Sequence, residues 1–255
     1  HFNVTEMLRV QTDIFAMHDQ WLAQRIVAAA ERRTPGSVDA QYAVDVLKAW
    51  DGEARWDSPA PLITRVVERA LLERLLRPKL GEDFASYSCP MTPVFVENVL
   101  NNRWTRWLPS GDGDFDTTVL KSLEDSVRRI PEITRSADRV KWHWGESIPL
   151  TFRHPLGSFP LAGRLLNVGP YPQSGTGTTV KQPTSSIGPS LRMVVDFADL
   201  DHSVQNITLG QSGQVTSPYY RDQVGAWYEG ESFPMLFSDA EVESKAVHRL
   251  VLQPG

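Results

Sequence analysis

The sequence predicts an α+β fold, with a helical first half and a β-rich second half. Across residues 1–135, apolar side chains recur at three- and four-residue intervals, which is the spacing of an amphipathic helix. From about residue 136 the chain becomes rich in aromatic residues, proline and glycine, and its apolar runs shorten to strand length. We therefore predict two segments, a helical one over residues 1–135 and a β-rich one over residues 136–255.

The helical segment should contain five main helices, each with an identifiable beginning or end. Thr5 is a candidate N-cap for the first, whose apolar stripe continues until the break at Thr34-Pro-Gly-Ser37. Ser37 should cap the second helix, which ends at Trp50-Asp-Gly52. The charged residues of the third predicted helix alternate in sign, which indicates that its outer face is exposed to solvent. The third, fourth and fifth helices are expected at Pro61–Leu80, Pro93–Asn101 and Thr117–Arg129.

Short strands and ordered loops should dominate the second segment. The residues from Gln173 to Ser186 have no hydrophobic period, but apolar runs flank them, which favours a long ordered crossing over the surface. A short helix is expected at Asp239–Ala246. Strands are expected in Leu150–Pro155, Leu165–Pro170, Leu191–Phe197, Ser203–Leu209 and, at the end, Val247–Leu252.

Composition and charge exclude several classes of protein. The net charge is −5 and 41% of the residues are hydrophobic, so no electrostatic footprint for nucleic acid or anionic lipid is present. No apolar run approaches the length of a membrane span. The single cysteine, Cys89, excludes an internal disulfide and leaves the cellular compartment open.

Three motifs in the second segment carry a family resemblance. They read G-P-S-x-R-x-V-x-D over residues 188–196, G-Q-S-G over residues 210–213 and S-P-x-Y-x-D-Q over residues 217–223. In this order they resemble the C-terminal end of penicillin amidase-type acylases, which are N-terminal nucleophile hydrolases. Tyr219 departs from the pattern, since histidine is common there. The segment Leu47–Gly52, followed by a long amphipathic helix, also looks like these acylases, so the resemblance covers nearly the whole chain.

The resemblance implies a hydrolase of side-chain amides, such as β-lactam acyl groups or N-acyl homoserine lactones. Its nucleophile is an N-terminal serine whose α-amine serves as base, since an α-amine titrates near ~8. Position 1 is His1, which has neither hydroxyl nor thiol, and the family's nucleophile and oxyanion-stabilising groups lie upstream of the matched portion. We expect the C-terminal part of an acylase, inactive alone and without a catalytic residue of its own. Its strands would complete an α/β/β/α sandwich.

Two other functional hypotheses remain open. The chain could be a non-catalytic binding or assembly module that retains the acylase scaffold. Alternatively, Ser212 could belong to a serine hydrolase triad with His154 or His202. However, Gln214 stands where the G-x-S-x-G elbow requires its second glycine, so a structural loop is favoured.

Six residues of the motifs are candidate site residues. Asp196 interrupts an apolar strand, and a buried carboxylate requires partners, so we expect it to meet Arg192, another arginine or several backbone amides. By resemblance, Asp196 could support the active site from a second layer of residues, although a structural ion pair is the favoured interpretation. The structural signature consists of Arg192, Gln211, Ser212, Asp222 and Gln223.

No metal or cofactor site is predicted in this chain. Asp112, Asp114 and Asp116 alternate as in the first positions of a calcium loop, but the glycine and glutamate that such a loop needs are missing. A solvated turn in which Asp116 caps the next helix is favoured. The resemblance is compatible with a structural calcium in the parent protein, for which no ligand is predicted in this chain.

The partners implied are the upstream portion of the acylase and a small amide substrate. Alone, the chain would leave sheet edges and an apolar face open, so it should associate with that portion or with another copy of itself. The resemblance places such acylases in the periplasm or outside the cell. The acyl substrate cannot be predicted, because upstream residues line most of the family's acyl pocket.

Overall fold

The computed structural model describes residues 2–87, 91–186 and 188–253. The predictions about His1 and Cys89 concern positions outside the described residues. Within these ranges, helices dominate the first half and five short strands lie in the second, which confirms the predicted α+β fold. No helix among the described residues is both long enough and apolar enough to cross a membrane.

The first half contains six helices rather than five, because the helix predicted from Thr5 to the break at Thr34 is divided in two at residues 12–16. The other four begin within two residues of the predicted positions. Ser37 caps α3 by accepting a hydrogen bond from the Ala40 amide, as predicted. The ranges are α1 Val4–Gln11, α2 Met17–Arg32, α3 Val38–Ala49, α4 Ala60–Leu80, α5 Thr92–Asn101 and α6 Phe115–Thr134.

Two predicted helix caps are wrong. Asn3, rather than Thr5, caps α1: its side chain accepts from the Glu6 amide, and Glu6 reaches back to the Asn3 amide. This reciprocal capping box satisfies two helix-end donors at once. At α6, Asp114 rather than Asp116 is the cap, because its Oδ1 accepts from the Thr117 amide at 2.8 Å.

The chain forms two compact units, and each is discontinuous in sequence. The sheet unit comprises His1–Asp13, Thr151–Val168 and Ser186–Gly255; the helical unit comprises Ile14–Leu150 and Gly169–Ser185. These units group residues by compactness, whereas the predicted segments 1–135 and 136–255 group them by sequence character. The units therefore do not test that division.

The core of the helical unit is one cluster of buried apolar side chains. Helices α2, α3, α4, α5 and α6 all contribute to it, and Trp142 and Trp144 complete it. Ala40, Ala43, Val44 and Leu47 of α3 are all buried, as the predicted apolar face requires. The predicted solvated face of α4 needs a correction, because Glu68 is buried, with 4% of its surface exposed.

Residues 169–185 of the helical unit form the predicted ordered crossing, but part of it is buried rather than superficial. The Gly175 amide donates to the Ala54 carbonyl, and the Trp144 indole nitrogen donates to the Gly175 carbonyl. Gly145 lets residues 169–185 approach its own backbone closely, since a Cβ at Gly145 would lie 2.5 Å from the Gln173 nitrogen. Gln173 and Thr176 are buried as a result.

The second half contains two small sheets and short helices, and the strands of the larger sheet are antiparallel. Strands β1 and β2 form one sheet, and β3, β4 and β5 form another in that order. In the second sheet Arg192 lies opposite Asn206. The ranges are β1 Leu150–Phe152, β2 Val168–Tyr171, β3 Leu191–Val194, β4 Val204–Ile207, β5 Phe233–Pro234, α7 Trp144–Ser147, α8 Pro160–Leu166, α9 Val224–Glu229 and α10 Asp239–Lys245.

The predicted last strand, Val247–Leu252, is wrong. Residues 247–253 form no strand, and Val247 and Leu252 are more than four-fifths exposed. A β-prone sequence becomes a strand only when a neighbouring strand takes up its backbone hydrogen bonds, and local sequence cannot supply that neighbour.

Candidate functional site

The loop that follows β4 is anchored at both ends by Gln223. Its side-chain oxygen accepts a hydrogen bond from the Ile207 amide at 2.9 Å, and its own amide donates to the Leu209 carbonyl at 2.8 Å. One glutamine thus joins the end of β4 to the beginning of α9. Gln223, at the end of the third motif, therefore has a clear structural role.

Gly210 begins this loop at a point where no side chain fits. A Cβ there would lie 2.1 Å from the Tyr219 carbonyl oxygen and 2.4 Å from Asp222 Oδ1. The Ser212 amide donates to the same Tyr219 carbonyl at 3.0 Å. The two ends of the loop are therefore in direct backbone contact, which explains the glycine of the second motif.

The side chain of Ser212 stabilises its own turn. Its Oγ accepts a hydrogen bond from the Gln214 amide at 3.1 Å, which is a serine turn. No histidine among the described residues hydrogen-bonds to Ser212, while His154 Nδ1 accepts from the Leu156 amide. The geometry agrees with the structural loop rather than with a catalytic triad. Gln211 is exposed beside it.

Arg192 is buried beneath α9, with 3% of its surface exposed. Its Nη1 donates to the Trp227 carbonyl at 2.7 Å, and the guanidinium lies 4.8 Å from the centre of the Trp227 ring. Nε and Nη2 have no hydrogen-bond partner among the described residues. Burial lowers the pKa of Arg192. The stacking over tryptophan therefore offsets part of the cost of burying the charge.

Of the partners expected for Asp196, the structure shows a backbone amide and not Arg192. Strand β3 ends at Val194, so Asp196 lies beyond it and is only half buried. Its Oδ1 accepts a hydrogen bond from the Ala198 amide at 2.9 Å, and its own amide donates to Ser203 Oγ at 3.0 Å. Because the strand is shorter than predicted, the carboxylate needs no buried cation. Whether Asp196 supports an active site stays a prediction.

A buried ionic cluster in the helical unit was not predicted. His18 on α2 lies between two carboxylates: Nδ1 is 2.7 Å from Glu97 Oε1 and Nε2 is 3.2 Å from Glu68 Oε1. Arg65 donates to the second oxygen of Glu68 at 3.0 Å. The His18 ring also stacks on Trp21 at a centroid distance of 5.7 Å. We call these five residues the His18 cluster.

Protonation of His18 follows from its two acidic neighbours. Burial opposes the charge most strongly, but the hydrogen bonds to Glu68 and Glu97 and the field of Glu68 outweigh it and raise the pKa from 6.5 to about 9. Both ring nitrogens then donate protons, so neither has a free lone pair. The cluster is therefore suited to holding α2, α4 and α5 together rather than to accepting a proton from a substrate.

Asp19, the next residue on α2, binds the crossing segment. Its Oδ1 accepts from the Thr64 hydroxyl at 3.0 Å, and its Oδ2 accepts from the Thr178 hydroxyl at 2.9 Å. Burial raises the pKa of Asp19, while these hydroxyls lower it. The adjacent residues His18 and Asp19 thus connect α2 to α4, to α5 and to residues 169–185.

A signal for the cluster was present in the sequence. His18 lies four residues before Leu22 and eight before Ile26, so it shares the buried stripe of α2. Glu68 likewise lies on the buried stripe of α4, three residues before Leu71 and seven before Leu75. A titratable residue at a core position of each helix predicts a buried pair, although it does not show which helices face each other.

The three alternating aspartates have three separate roles. Asp112 is buried and accepts from Lys121 Nζ at 2.6 Å, Asp114 caps α6, and Asp116 accepts from Arg32 Nε at 2.7 Å. The hydrogen bond from Thr117 holds the pKa of Asp114 at about 2. No group of three His, Cys, Asp or Glu side chains that could hold a metal ion is found in the described part of the chain.

Comparison with a solved structure establishes the class of fold. The whole chain aligns with half of a thermostable penicillin G acylase from Alcaligenes faecalis, with a TM-score of 0.59 and 17% sequence identity. At this identity the similarity concerns the fold alone. The α+β architecture is thus one that is found in an acylase.

The sequence itself identifies the family. A model of the family described as penicillin amidase matches residues 1–244, so the chain belongs to the penicillin amidase family. This confirms the resemblance inferred from the three motifs.

Curated relatives are longer than this chain. An acyl-homoserine lactone acylase QuiP from Pseudomonas syringae pv. tomato is 30% identical over 154 residues, which cover 56% of this chain and 18% of the relative. A protein of the same name from Pseudomonas putida is 28% identical over 258 residues, which cover 92% of this chain and 31% of the relative. The chain therefore spans less than a third of these relatives.

Proposed function

We propose that this chain is the C-terminal part of an acylase that hydrolyses the side-chain amide of an N-acyl homoserine lactone. The match of the penicillin amidase family to residues 1–244 carries the proposal. Two relatives named as acyl-homoserine lactone acylases support the substrate class, since they are 28–30% identical to the chain. Phenylacetyl amides of the penicillin G type are the alternative substrate.

The chemistry would begin with a serine at the N-terminus of the catalytic chain, outside residues 1–255. Its hydroxyl oxygen attacks the amide carbonyl while its α-amine takes the hydroxyl proton. The amine product leaves with that proton, and an ester remains on the serine. Water then cleaves the ester, releasing the carboxylic acid and restoring the hydroxyl. No cofactor is required for these steps.

In this proposal the 255 residues supply structure and are inactive alone. The side chains of Ser212 and His18 are engaged in local hydrogen bonds, which supports that role. The principal partner is the remainder of the acylase polypeptide. Export to the periplasm or outside the cell is inferred from the family resemblance.

Activity of the product of the complete gene, measured beside the 255-residue chain, tests the proposal. Both are assayed with a long-chain N-acyl homoserine lactone and with a chromogenic phenylacetyl amide, and their intact masses are determined. We expect a self-cleaved, two-chain product that hydrolyses the lactone's amide, and an inert 255-residue chain. Preference for the phenylacetyl amide would retain the acylase but change its substrate.

Two outcomes would contradict the proposal. An uncleaved and inactive gene product would favour a binding or assembly module that retains the acylase scaffold. Activity in the 255-residue chain alone would place the catalytic residues within it, and Ser212→Ala would then be the first variant to assay.

A further inference from the structure

A cleft of about 550 Å³ lies in the sheet unit, between α8 and the loop that follows β4. Arg164 and Arg221 are among its lining residues, together with Asn167, Tyr220 and apolar residues. The two arginines come from segments that are far apart in sequence. Ser217, Pro218 and Tyr220 of the third motif line this cleft, whereas Arg192, Asp196 and Gln223 do not.

The positive charge of the cleft is not neutralised by the described protein. Both arginines are exposed, and neither forms an ion pair with an acidic residue in the described ranges. No Asp or Glu lines the cleft, although acidic residues outnumber basic ones by 31 to 26 in the chain. Asp222 follows Arg221 directly, but its carboxylate oxygen lies against Gly210.

The cleft is formed by ordered elements. Tyr220 is buried, and its hydroxyl donates to the Leu166 carbonyl at 2.5 Å, which ties the loop to the end of α8. The side chain of Asn167 accepts from the His154 amide and donates to the Gly157 carbonyl. Arg164 and Arg221, each within three residues of these anchors, are therefore held on the same cleft.

Apolar surface accompanies the charge. Leu165 is 65% exposed and Val215 is 40% exposed, and both line the cleft beside the arginines. An exposed leucine next to two cations favours a ligand that has an anionic head and an apolar tail. Inorganic anions and neutral apolar molecules would each use only one part of this surface.

We propose that the cleft binds a small monocarboxylate with an alkyl chain. The planar guanidinium fork matches a carboxylate in two parallel hydrogen bonds, and a second arginine adds to the field. The alkyl chain would lie on Leu165 and Val215. The inference does not depend on the proposed function, because it rests only on the residues of this cleft.

Octanoate is the probe, and binding is measured by calorimetry and by the thermal midpoint of the product of the complete gene. We expect octanoate to bind and to raise the midpoint, as any ligand of the native state does. Octan-1-ol, which has the tail without the charge, and inorganic phosphate, which lacks the tail, should each bind at least tenfold more weakly. Raising the salt concentration should weaken octanoate binding, because exposed charges are screened.

Variants assign the binding to this cleft. Arg164→Gln and Arg221→Gln should each reduce octanoate affinity at least fivefold, and Leu165→Ser should reduce it without changing the effect of salt. Arg153→Gln, which replaces an exposed arginine outside the cleft lining, is the matched control and should bind as the parent does.

Three results would overturn the proposal. Equal binding of octanoate and octan-1-ol would mean a purely apolar surface, and unchanged affinity in both arginine variants would mean a different site. Absence of octanoate binding, together with lower thermal stability of Arg221→Gln, would mean that a carboxylate of the remaining polypeptide occupies the cleft.

Discussion

The helical unit and the sheet unit differ most in how they bury apolar side chains. The helical unit encloses one continuous apolar cluster from five helices. In the sheet unit the buried apolar residues within the described ranges are Val168, Tyr220, Val224 and Trp227, whereas Phe197 is 92% exposed. The helical unit therefore has the core of a stable domain. The sheet unit is held largely by specific hydrogen bonds and close backbone contacts, as expected if further protein covers it.

The largest effect should come from removing a core side chain of the helical unit. Leu71 is fully buried, so Leu71→Ala should lower the free energy of unfolding by about 2–5 kcal/mol through lost burial and a residual cavity. Urea unfolding followed by circular dichroism measures the change. Leu161→Ala is the control in the sheet unit, where the side chain is 75% exposed and the cost should stay below about 0.5 kcal/mol. An equal loss in the free energy of unfolding in both variants would contradict the difference in side-chain burial between the two units.

The His18 cluster should make the stability of the helical unit depend on pH. The pKa of His18 is raised to about 9, above its ordinary value of 6.5, so its stabilisation is complete below pH 6.5 and is lost as the pH rises through 9. His18→Gln should therefore cost about 3 kcal/mol more at pH 6 than at pH 10, by the usual conversion of a pKa difference. Urea unfolding at pH 6, 8 and 10 tests this.

The matched control for that experiment is His202→Gln, which replaces an exposed histidine of the sheet unit. It should leave the free energy of unfolding unchanged at all three pH values. A cost of His18→Gln that is the same at pH 6 and pH 10 would show that the protonated ring does not account for the stabilisation.

A smaller effect is expected when the backbone contact at Gly210 is disturbed. Gly210→Ala would place a Cβ 2.1 Å from the Tyr219 carbonyl, so the loop must open at a cost of about 1–3 kcal/mol. Hydrogen exchange of residues 208–223, measured by mass spectrometry, should accelerate there and not in the helical unit. Gly213→Ala has no atom within 4 Å of its new Cβ and should leave the exchange unchanged.

The smallest effect should follow from Asp196→Asn. The amide oxygen of asparagine can still accept the hydrogen bond from the Ala198 amide, so we expect a loss below about 1 kcal/mol. Activity of the complete gene product is the second measurement, and it should fall less than threefold. A much larger loss of kcat with unchanged stability would instead support the predicted role of Asp196 beside the active site.

Local patterns predicted the helices well, because helix capping and the 3.6-residue period depend on neighbouring residues. Ser37 and the face of α3 are examples. The errors arise where several local signals compete or where a distant partner decides. Asn3 and Thr5 are both acceptable caps, but Glu6 stands at the position that completes a box with Asn3. The predicted strand at residues 247–252 has no pairing strand in the described part of the chain.

The site was predicted less completely than the fold for the same physical reason. The three motifs indicated the family correctly. The partners of Asp196 and Arg192 depend on the residue at which β3 ends. A strand that is one residue longer or shorter changes which side chains are buried. The His18 cluster joins α2, α4 and α5, so its charges meet only after three helices pack. A single sequence shows each buried titratable position but not which of them become neighbours.

The order in which the two units can be completed follows from their discontinuity. Gly169–Ser185 is the last piece of the helical unit, so all of that unit has been synthesised before Ser186. The sheet unit contains His1–Asp13 and also Ser186–Gly255. Its first residues can therefore pack in their final positions only after its last segment has been synthesised. During translation, α1 would therefore spend most of the synthesis of this chain without its β3 neighbour.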